Sequence, residues 1–360
     1  MGARSAATRH DSSIPMTSLR LAVLAFALTL IAGCGGQTAR PVAPAPVPNS
    51  ATPAPPVKIR IGIALGGGAA KGFAHIGVIK MLEANGFKPE VVSGTSAGSL
   101  VGALYASGMD AFAMQQHAVA LDEARIRDVT LFNGGLIRGQ KLQDYVNEMV
   151  GSRPIEKMRK PFAAVSTKLE TGERTVFVRG NTGQAVRASC SIPGVFEPVK
   201  IGEFYYVDGG VVSPVPVDAA RQLGADIVIA VDISTRTTGE TPKNMLGVVN
   251  QSITIMGQKL GEQELARADI VIRPKVNDIG PADFERRNGA ILEGEKAALA
   301  AMPQIRAKIA QLRQARAAAQ AARRNPPPAM DCEKPGLIGG LLGKAPECRP
   351  RENRSNPKSP

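Results

Sequence analysis

Glu90-Val-Val-Ser-Gly-Thr-Ser-Ala-Gly-Ser-Leu-Val-Gly-Ala-Leu-Tyr-Ala-Ser-Gly108 is the stretch whose reading decides the fold. A short β-branched run leads into Gly94-Thr95-Ser96-Ala97-Gly98, after which Leu100, Ala103, Leu104 and Ser107 recur at helical spacing. The order is strand, sharp turn, helix. Glycines two places before and two after a serine let the backbone pass close to itself. Such a turn lifts the Ser96 hydroxyl off the end of a sheet with a helix N-terminus behind it. Gly94, Ser96 and Gly98 are read as a nucleophile elbow. The alternative is an ordinary glycine-rich connection, because three fixed positions in five recur by chance.

Upstream, Ile59 to Leu65 has the apolar run of a buried strand and Phe73 to Asn85 the spacing of a helix. Between them stands Gly66-Gly67-Gly68-Ala69-Ala70-Lys71-Gly72, a loop able to turn backbone N–H groups toward an anion. The dinucleotide fingerprint needs a third glycine where Lys71 stands, and the Walker pattern needs a Ser or Thr after its lysine. Neither nucleotide motif is present as written. Both turns fall at the carboxyl edge of a parallel sheet, so the loop is read as an oxyanion hole for Ser96. Lys71 is read either as positive potential beside that hole or as an exposed cation at a helix start.

Downstream, residues 110 to 150 read as helical, interrupted by Phe132-Asn133-Gly134-Gly135-Leu136. Gly139 opens a helix with Leu142, Tyr145, Val146 and Met149 on one face, expected to be core. Phe162 to Leu169 and Arg174 to Arg179 form a hairpin, and Val186 to Phe196 reads as a short helix stopped by Pro193-Gly194. A strand pair, Glu197 to Ile201 and Glu203 to Val207, leads to Asp208-Gly209-Gly210, a tight turn that presents a carboxylate or is only a surface turn. The rest alternates: helix 217 to 223, strand Asp226 to Ile233, helix 246 to 260, strand Asp269 to Arg273, helix Phe284 to Ala301. That pattern is an α/β domain with a mainly parallel central sheet.

The chemistry follows from what is missing. A Ser-Asp-His triad of the α/β-hydrolase order needs a histidine after the acid, and the only histidines are His10, His75 and His117. Asp208 is therefore the leading partner for Ser96. With these residues in place, Gly66 to Gly72, Gly94 to Gly98, Ser191-Ile192-Pro193-Gly194-Val195-Phe196 and Asp208-Gly209-Gly210 together resemble the four blocks of the patatin-like phospholipase family. The resemblance covers about residues 58 to 300 and implies a patatin-like three-layer α/β/α domain. It implies Ser96 and Asp208 as the catalytic pair, Gly66, Gly67 and Gly68 as the oxyanion hole, and hydrolysis of acyl esters of phospholipids or lysophospholipids without metal or cofactor. Ser189, Ser191 and Phe196 are expected to brace or line the pocket. An unperturbed carboxylate is a poor base for a serine hydroxyl, so burial is expected to raise the pKa of Asp208.

The ends of the chain carry the charge. Of the net +13, residues 303 to 360 hold +8 and residues 1 to 33 hold +2, so the body 34 to 302 is nearly neutral. With 4% aromatic residues and no Trp, nothing suggests nucleic acid as a partner. Arg20 followed by the apolar run from Leu21 reads as a signal peptide, started at Met1 or Met16. Ile31-Ala32-Gly33-Cys34 resembles a bacterial lipobox, implying a chain anchored through lipid on Cys34 in the cell envelope, on the periplasmic face of the outer membrane. Residues 34 to 57 are a Pro-rich tether and 58 to 302 the catalytic domain. Residues 303 to 324 are a basic helix docked by its first turns, with adsorption to anionic lipid as the sharper alternative, and 325 to 360 a low-complexity tail. Cys332 and Cys348 are free to pair, leaving Cys190 as a lone buried thiol.

Overall fold

A computed structural model describes residues 58–121, 126, 128, 137–237, 239, 241–324, 330–333 and 346–350. The signal peptide, Cys34, the tether, Phe132 to Leu136 and most of the tail lie outside these residues. In chain order the elements are β1 (Ile61–Leu65), α1 (Phe73–Ala84), β2 (Val91–Thr95), α2 (Ala97–Ser107), α3 (Ala111–Ala120), α4 (Gln140–Met149), β3 (Phe162–Lys168), β4 (Arg174–Phe177), α5 (Thr182–Ser189), β5 (Val199–Ile201) and β6 (Phe204–Asp208). There follow α6 (Val217–Gln222), β7 (Ile227–Val231), α7 (Met245–Leu265), β8 (Ile270–Ile272), α8 (Arg287–Arg324), β9 (Met330–Glu333) and β10 (Glu347–Pro350).

The main sheet runs β5-β6-β3-β2-β1-β7-β8, with β4 also on β3. Strands β3, β2, β1, β7 and β8 are mutually parallel, while at one side β4 and β6 pair antiparallel with β3, and β5 antiparallel with β6. The central strands are buried on both faces, which is why they read as continuous apolar runs. Ile63, Leu65, Ile229 and Val231 point into the core shared with α1, α2 and α8. Ala64, Val91, Val228 and Ala230 point the other way, toward α6 and Leu265 of α7. The result is the expected three-layer α/β/α domain with a mainly parallel sheet.

Helices α1 and α8 cross closely enough that glycine is required at the contact. A Cβ on Gly77 would lie 2.0 Å from the Ile291 carbonyl oxygen, and one on Gly294 2.0 Å from that of Ala74. Leu142, Tyr145 and Val146 of α4 are buried, as its apolar stripe indicated.

Several boundaries differ from the sequence reading, and α7 runs five residues past its expected end to Leu265. The helix expected over Val186 to Phe196 is α5, which starts at Thr182 because the Asn181 side chain accepts the Gln184 N–H at 2.8 Å, and which ends at Ser189. Pro193 disfavours helical geometry at Ile192, so Ser191 to Phe196 is a loop. The break expected near 302 is absent, since α8 runs through Pro303 into the basic segment. Proline removes the hydrogen bond to the Leu299 carbonyl, and Leu299 is half exposed, so water can take its place. Burial of Ile305 and Ile309 and the ion pair of Arg316 with Asp226 fasten the basic part to the domain. Cys332 and Cys348 form a disulfide across the β9–β10 ladder.

The α1–α8 crossing yields a paired expectation in denaturant unfolding. Gly77→Ala should cost about 2 kcal/mol or more through overpacking. Gly289→Ala in α8, where an added Cβ meets nothing within 4 Å, should be neutral or stabilise by up to ~1 kcal/mol.

Candidate active site

Ser96 sits between β2 and α2 at φ 52 and ψ −126, a backbone conformation that L-residues rarely adopt. Tight packing of the flanking glycines enforces it. A Cβ on Gly94 would lie 2.3 Å from the Gly98 carbonyl oxygen, and one on Gly98 2.1 Å from that of Leu65. The Ser96 N–H donates to Ser189 Oγ at 2.9 Å, and the Ser189 hydroxyl donates to the Val165 carbonyl at 2.5 Å. Ser189 is thus a brace on the elbow, not a pocket residue.

Sheet register brings Asp208 to Ser96. Thr95 pairs with Val165, and Ser166, the next residue of β3, pairs with Asp208, so Ser96 and Asp208 lie one step past the same rung. The Asp208 N–H donates to the Ser191 carbonyl at 2.8 Å, and the Thr167 hydroxyl donates to the Asp208 carbonyl at 2.9 Å. Asp208 Oδ1 accepts the Gly210 N–H at 2.7 Å, while Oδ2 is enclosed without a partner of full hydrogen-bond geometry. Burial pushes this carboxyl up to about 6, against the opposing pull of the Ser96 hydroxyl and the Gly210 N–H. The rise expected from the sequence is present, with desolvation as its cause.

The glycine loop corrects one expectation. The Gly66 N–H donates to the Val231 carbonyl and the Gly67 N–H to the Pro214 carbonyl, each at 3.0 Å, so these two donors are occupied. Gly67 instead supplies room, since its Cβ would lie 3.3 Å from Ser96 Cβ. The N–H groups of Gly68 and Ala69 have no acceptor among the described residues, and that of Ala97 stands open at the start of α2. His75 is buried and pushed down to about 4 by desolvation, so at neutral pH its imidazole is uncharged. Its Nε2–H donates to the Gly66 carbonyl at 2.8 Å, which fixes the loop. Lys71 is not an exposed cation. It is buried, its Nζ donates to Thr235 Oγ1 at 2.6 Å, and it is not among the residues lining the cavity beside Ser96.

Sequence reasoning missed the segment that ties these parts together. Ser213 accepts the Thr95 hydroxyl at its carbonyl at 2.8 Å, and Pro214 accepts the Gly67 N–H. Glu264 of α7 receives the Ser213 hydroxyl and the Val215 N–H. Burial pushes Glu264 up to about 7. Nothing local marks it, because a glutamate late in a helix is usually solvated.

Ser96 opens into an apolar cavity of about 350 Å³, lined among others by Phe73, Leu104, Met114, Tyr145, Ile192 and Phe284. Leu142 and Tyr145 therefore serve as core and as wall at once, and Phe196 lines the cavity while Ser191 braces Asp208. Cys190, also in the wall, is pushed up to about 12, chiefly by burial, so its thiol stays protonated beside Ser96. His117 lies on the cavity lining but is exposed on α3.

A strained serine elbow, a buried carboxyl level with it across β3 and open N–H donors on a glycine loop meet beside an apolar cavity on a three-layer α/β domain. Residues 63–221 match the family described as Patatin-like phospholipase. An uncharacterized NTE family protein of Mycobacterium tuberculosis is 36% identical over 182 residues, covering 50% of this chain and 51% of that protein. Patatin-like phospholipase domain-containing protein 6 of Mus musculus is 32% identical over 185 residues, 49% of this chain and 14% of that one. The crystal structure of VipD from Legionella pneumophila is similar over 68% of this chain and 67% of that one, with TM-score 0.49 and 15% identity. The chain spans about half the length of the first curated relative, and less of the mouse protein.

Raised folded-state pKa values link this site to stability. A carboxyl that holds its proton more tightly when folded contributes stability that is full below its unfolded pKa and is lost as pH rises through the folded one. For Asp208 that window runs from about 4 to about 6. Asp208→Asn should therefore exceed the wild type in stability by up to about 3 kcal/mol at pH 8 and show no such gain at pH 3.5. Denaturant titrations at the two pH values measure the difference.

Proposed function

We propose that the protein is a serine lipid acyl hydrolase that cleaves acyl esters of phospholipids or lysophospholipids. The observation that carries this reading is the position of Ser96, strained and beside Asp208, at the wall of an apolar cavity suited to an acyl chain. In this mechanism Asp208 takes the Ser96 proton as Oγ attacks the ester carbonyl. The Gly68 N–H, with those of Ala69 and Ala97 near it, stabilises the oxyanion at a helix N-terminus. The lyso-product leaves with the proton that Asp208 received. Water, deprotonated in turn by Asp208, then releases the fatty acid from the acyl-serine.

A carboxyl near pKa 6 is a better base than an ordinary aspartate and is still ionised at neutral pH. Cys190 and Ile192 line the cavity beside Ser96, where the acyl chain is held. The chain's place in the cell follows from its N-terminal residues: signal cleavage before Cys34, lipid on its thiol, and a proline-rich tether that leaves the domain facing a membrane.

Ser96→Ala and Asp208→Asn should each lower fatty-acid release from mixed phospholipid vesicles by at least ~1,000-fold while far-UV spectra stay unchanged. Wild-type kcat/KM should fall on the acid side with an apparent pKa near 6. Near wild-type turnover in either variant contradicts the dyad, and hydrolysis confined to short soluble esters contradicts the phospholipid assignment. Mass spectrometry of the mature N-terminus should find a diacylated Cys34; an unmodified thiol there removes the anchor.

A further inference from the structure

The N-terminal half of α7, a helix of 21 residues, is half-buried along Gly247, Gln251, Thr254 and Gln258 and turns an apolar face to solvent. Met245 is 79% exposed, Met256 59%, Ile253 51%, and Val248, Val249 and Ile255 46% each. At 100° per residue these six side chains cover an arc of roughly 160°, one whole face of the helix. A contiguous apolar face of this kind on a water-exposed helix marks an interaction surface. Residues 241 to 261 contain no Asp or Glu, and the charges they carry are Lys243 and Lys259.

Topology fixes where this face stands. Strands β7 and β8 are parallel neighbours joined by α7, so the helix runs back from the side of their carboxyl edge, the edge that presents Ser96. Glu264 pins the other end of α7 to Ser213 and Val215, beside the glycine loop. Met256 to Met245 lie 8 to 19 residues before Glu264, so at 1.5 Å per residue the apolar half extends roughly 12 to 28 Å beyond that anchor. Val195, in the wall of the Ser96 cavity, and Val211, three residues after Asp208, are exposed as well, at 41% and 45%. No helix among the described residues is long and apolar enough to cross a membrane.

From these observations we infer that the first half of α7 is an interfacial docking helix, whose occupant is the headgroup and acyl boundary of an anionic phospholipid surface. The inference rests on the lipid-hydrolase reading for its purpose, not for its geometry. Apolar side chains enter the acyl boundary while Lys243, just before the helix, faces anionic headgroups, and Lys259, at the inner end of the face, is already ion-paired with Glu262 at 3.3 Å. Docking there holds the carboxyl edge of the sheet, and with it the Ser96 cavity, against the surface that contains the substrate.

The test uses the full chain with Cys34→Ser, so that no anchor contributes. Binding is measured with Ser96→Ala added, by co-sedimentation with vesicles of phosphatidylglycerol and phosphatidylcholine. Adding Val249→Asp and Ile253→Asp should lower partitioning at least 10-fold. With Ser96 intact, the same pair should lower vesicle hydrolysis at least 10-fold and leave hydrolysis of monomeric p-nitrophenyl butyrate and the thermal midpoint unchanged. Unaltered partitioning in the double aspartate variant overturns the inference, as does a parent that binds no vesicles. Conversion of a wild-type dimer to a monomer by the variant, with vesicle binding unchanged, assigns the face to a second copy and also overturns it. If the wild type hydrolyses neither ester but the variant still loses vesicle binding, docking stands and the hydrolase reading fails.

Discussion

The backbone of Ser96 is held where it would not rest by itself, and the neighbouring structure is arranged to keep it there. A residue at φ 52 persists only when its surroundings over-determine it. Here Gly94 and Gly98 let α2 press against the end of β1, Ser189 takes the Ser96 N–H, and the Thr95 hydroxyl is tied to the Ser213 carbonyl. Ser213 is in turn held by Glu264, and its neighbour Pro214 holds Gly67. Elbow, glycine loop and α7 therefore share one hub, Ser213 to Val215. Displacing that hub moves the nucleophile and the loop beside it together.

The same compactness creates the electrostatics. Asp208 and Glu264 are enclosed carboxyls whose pKa values rise because burial penalises their charge. His75 is enclosed and loses its proton for the same reason, so it acts by geometry, through its hydrogen bond to the Gly66 carbonyl. Ionised Asp208 is unfavourable for folding at neutral pH, yet it is the form the proposed reaction needs. Stability and chemistry pull this one side chain in opposite directions.

Much of this was legible in the sequence, for local reasons. Strand and helix periodicity fixed the order of the layers, because buried parallel strands are apolar throughout and their helices amphipathic. Ser96 was legible because its flanking glycines are a steric requirement, and Asp208 because no histidine follows it. The occupied N–H groups of Gly66 and Gly67 were not legible, since their acceptors, Val231 and Pro214, are more than a hundred residues away. Glu264 escaped for the same reason, as it acts only across tertiary contacts. Lys71 misled because a lysine at a helix start is ordinarily solvated, whereas this one is covered by the loop that carries Thr235. The end expected for α8 at Pro303 failed because packing of Ile305 and Ile309 outweighs one missing backbone bond.

The patatin-like phospholipase match over residues 63–221 and the strained elbow are the grounds on which Ser96 is proposed as the nucleophile and Asp208 as its base. The most direct measurement is the rate at which a fluorophosphonate probe labels the folded protein as a function of pH, with the modified peptide located by mass spectrometry. The account predicts one adduct, on Ser96, with a rate that rises to a plateau through pH 6 and is abolished in Asp208→Asn. Labelling at another residue, or labelling of Ser96 that is unaffected by Asp208→Asn, would contradict it.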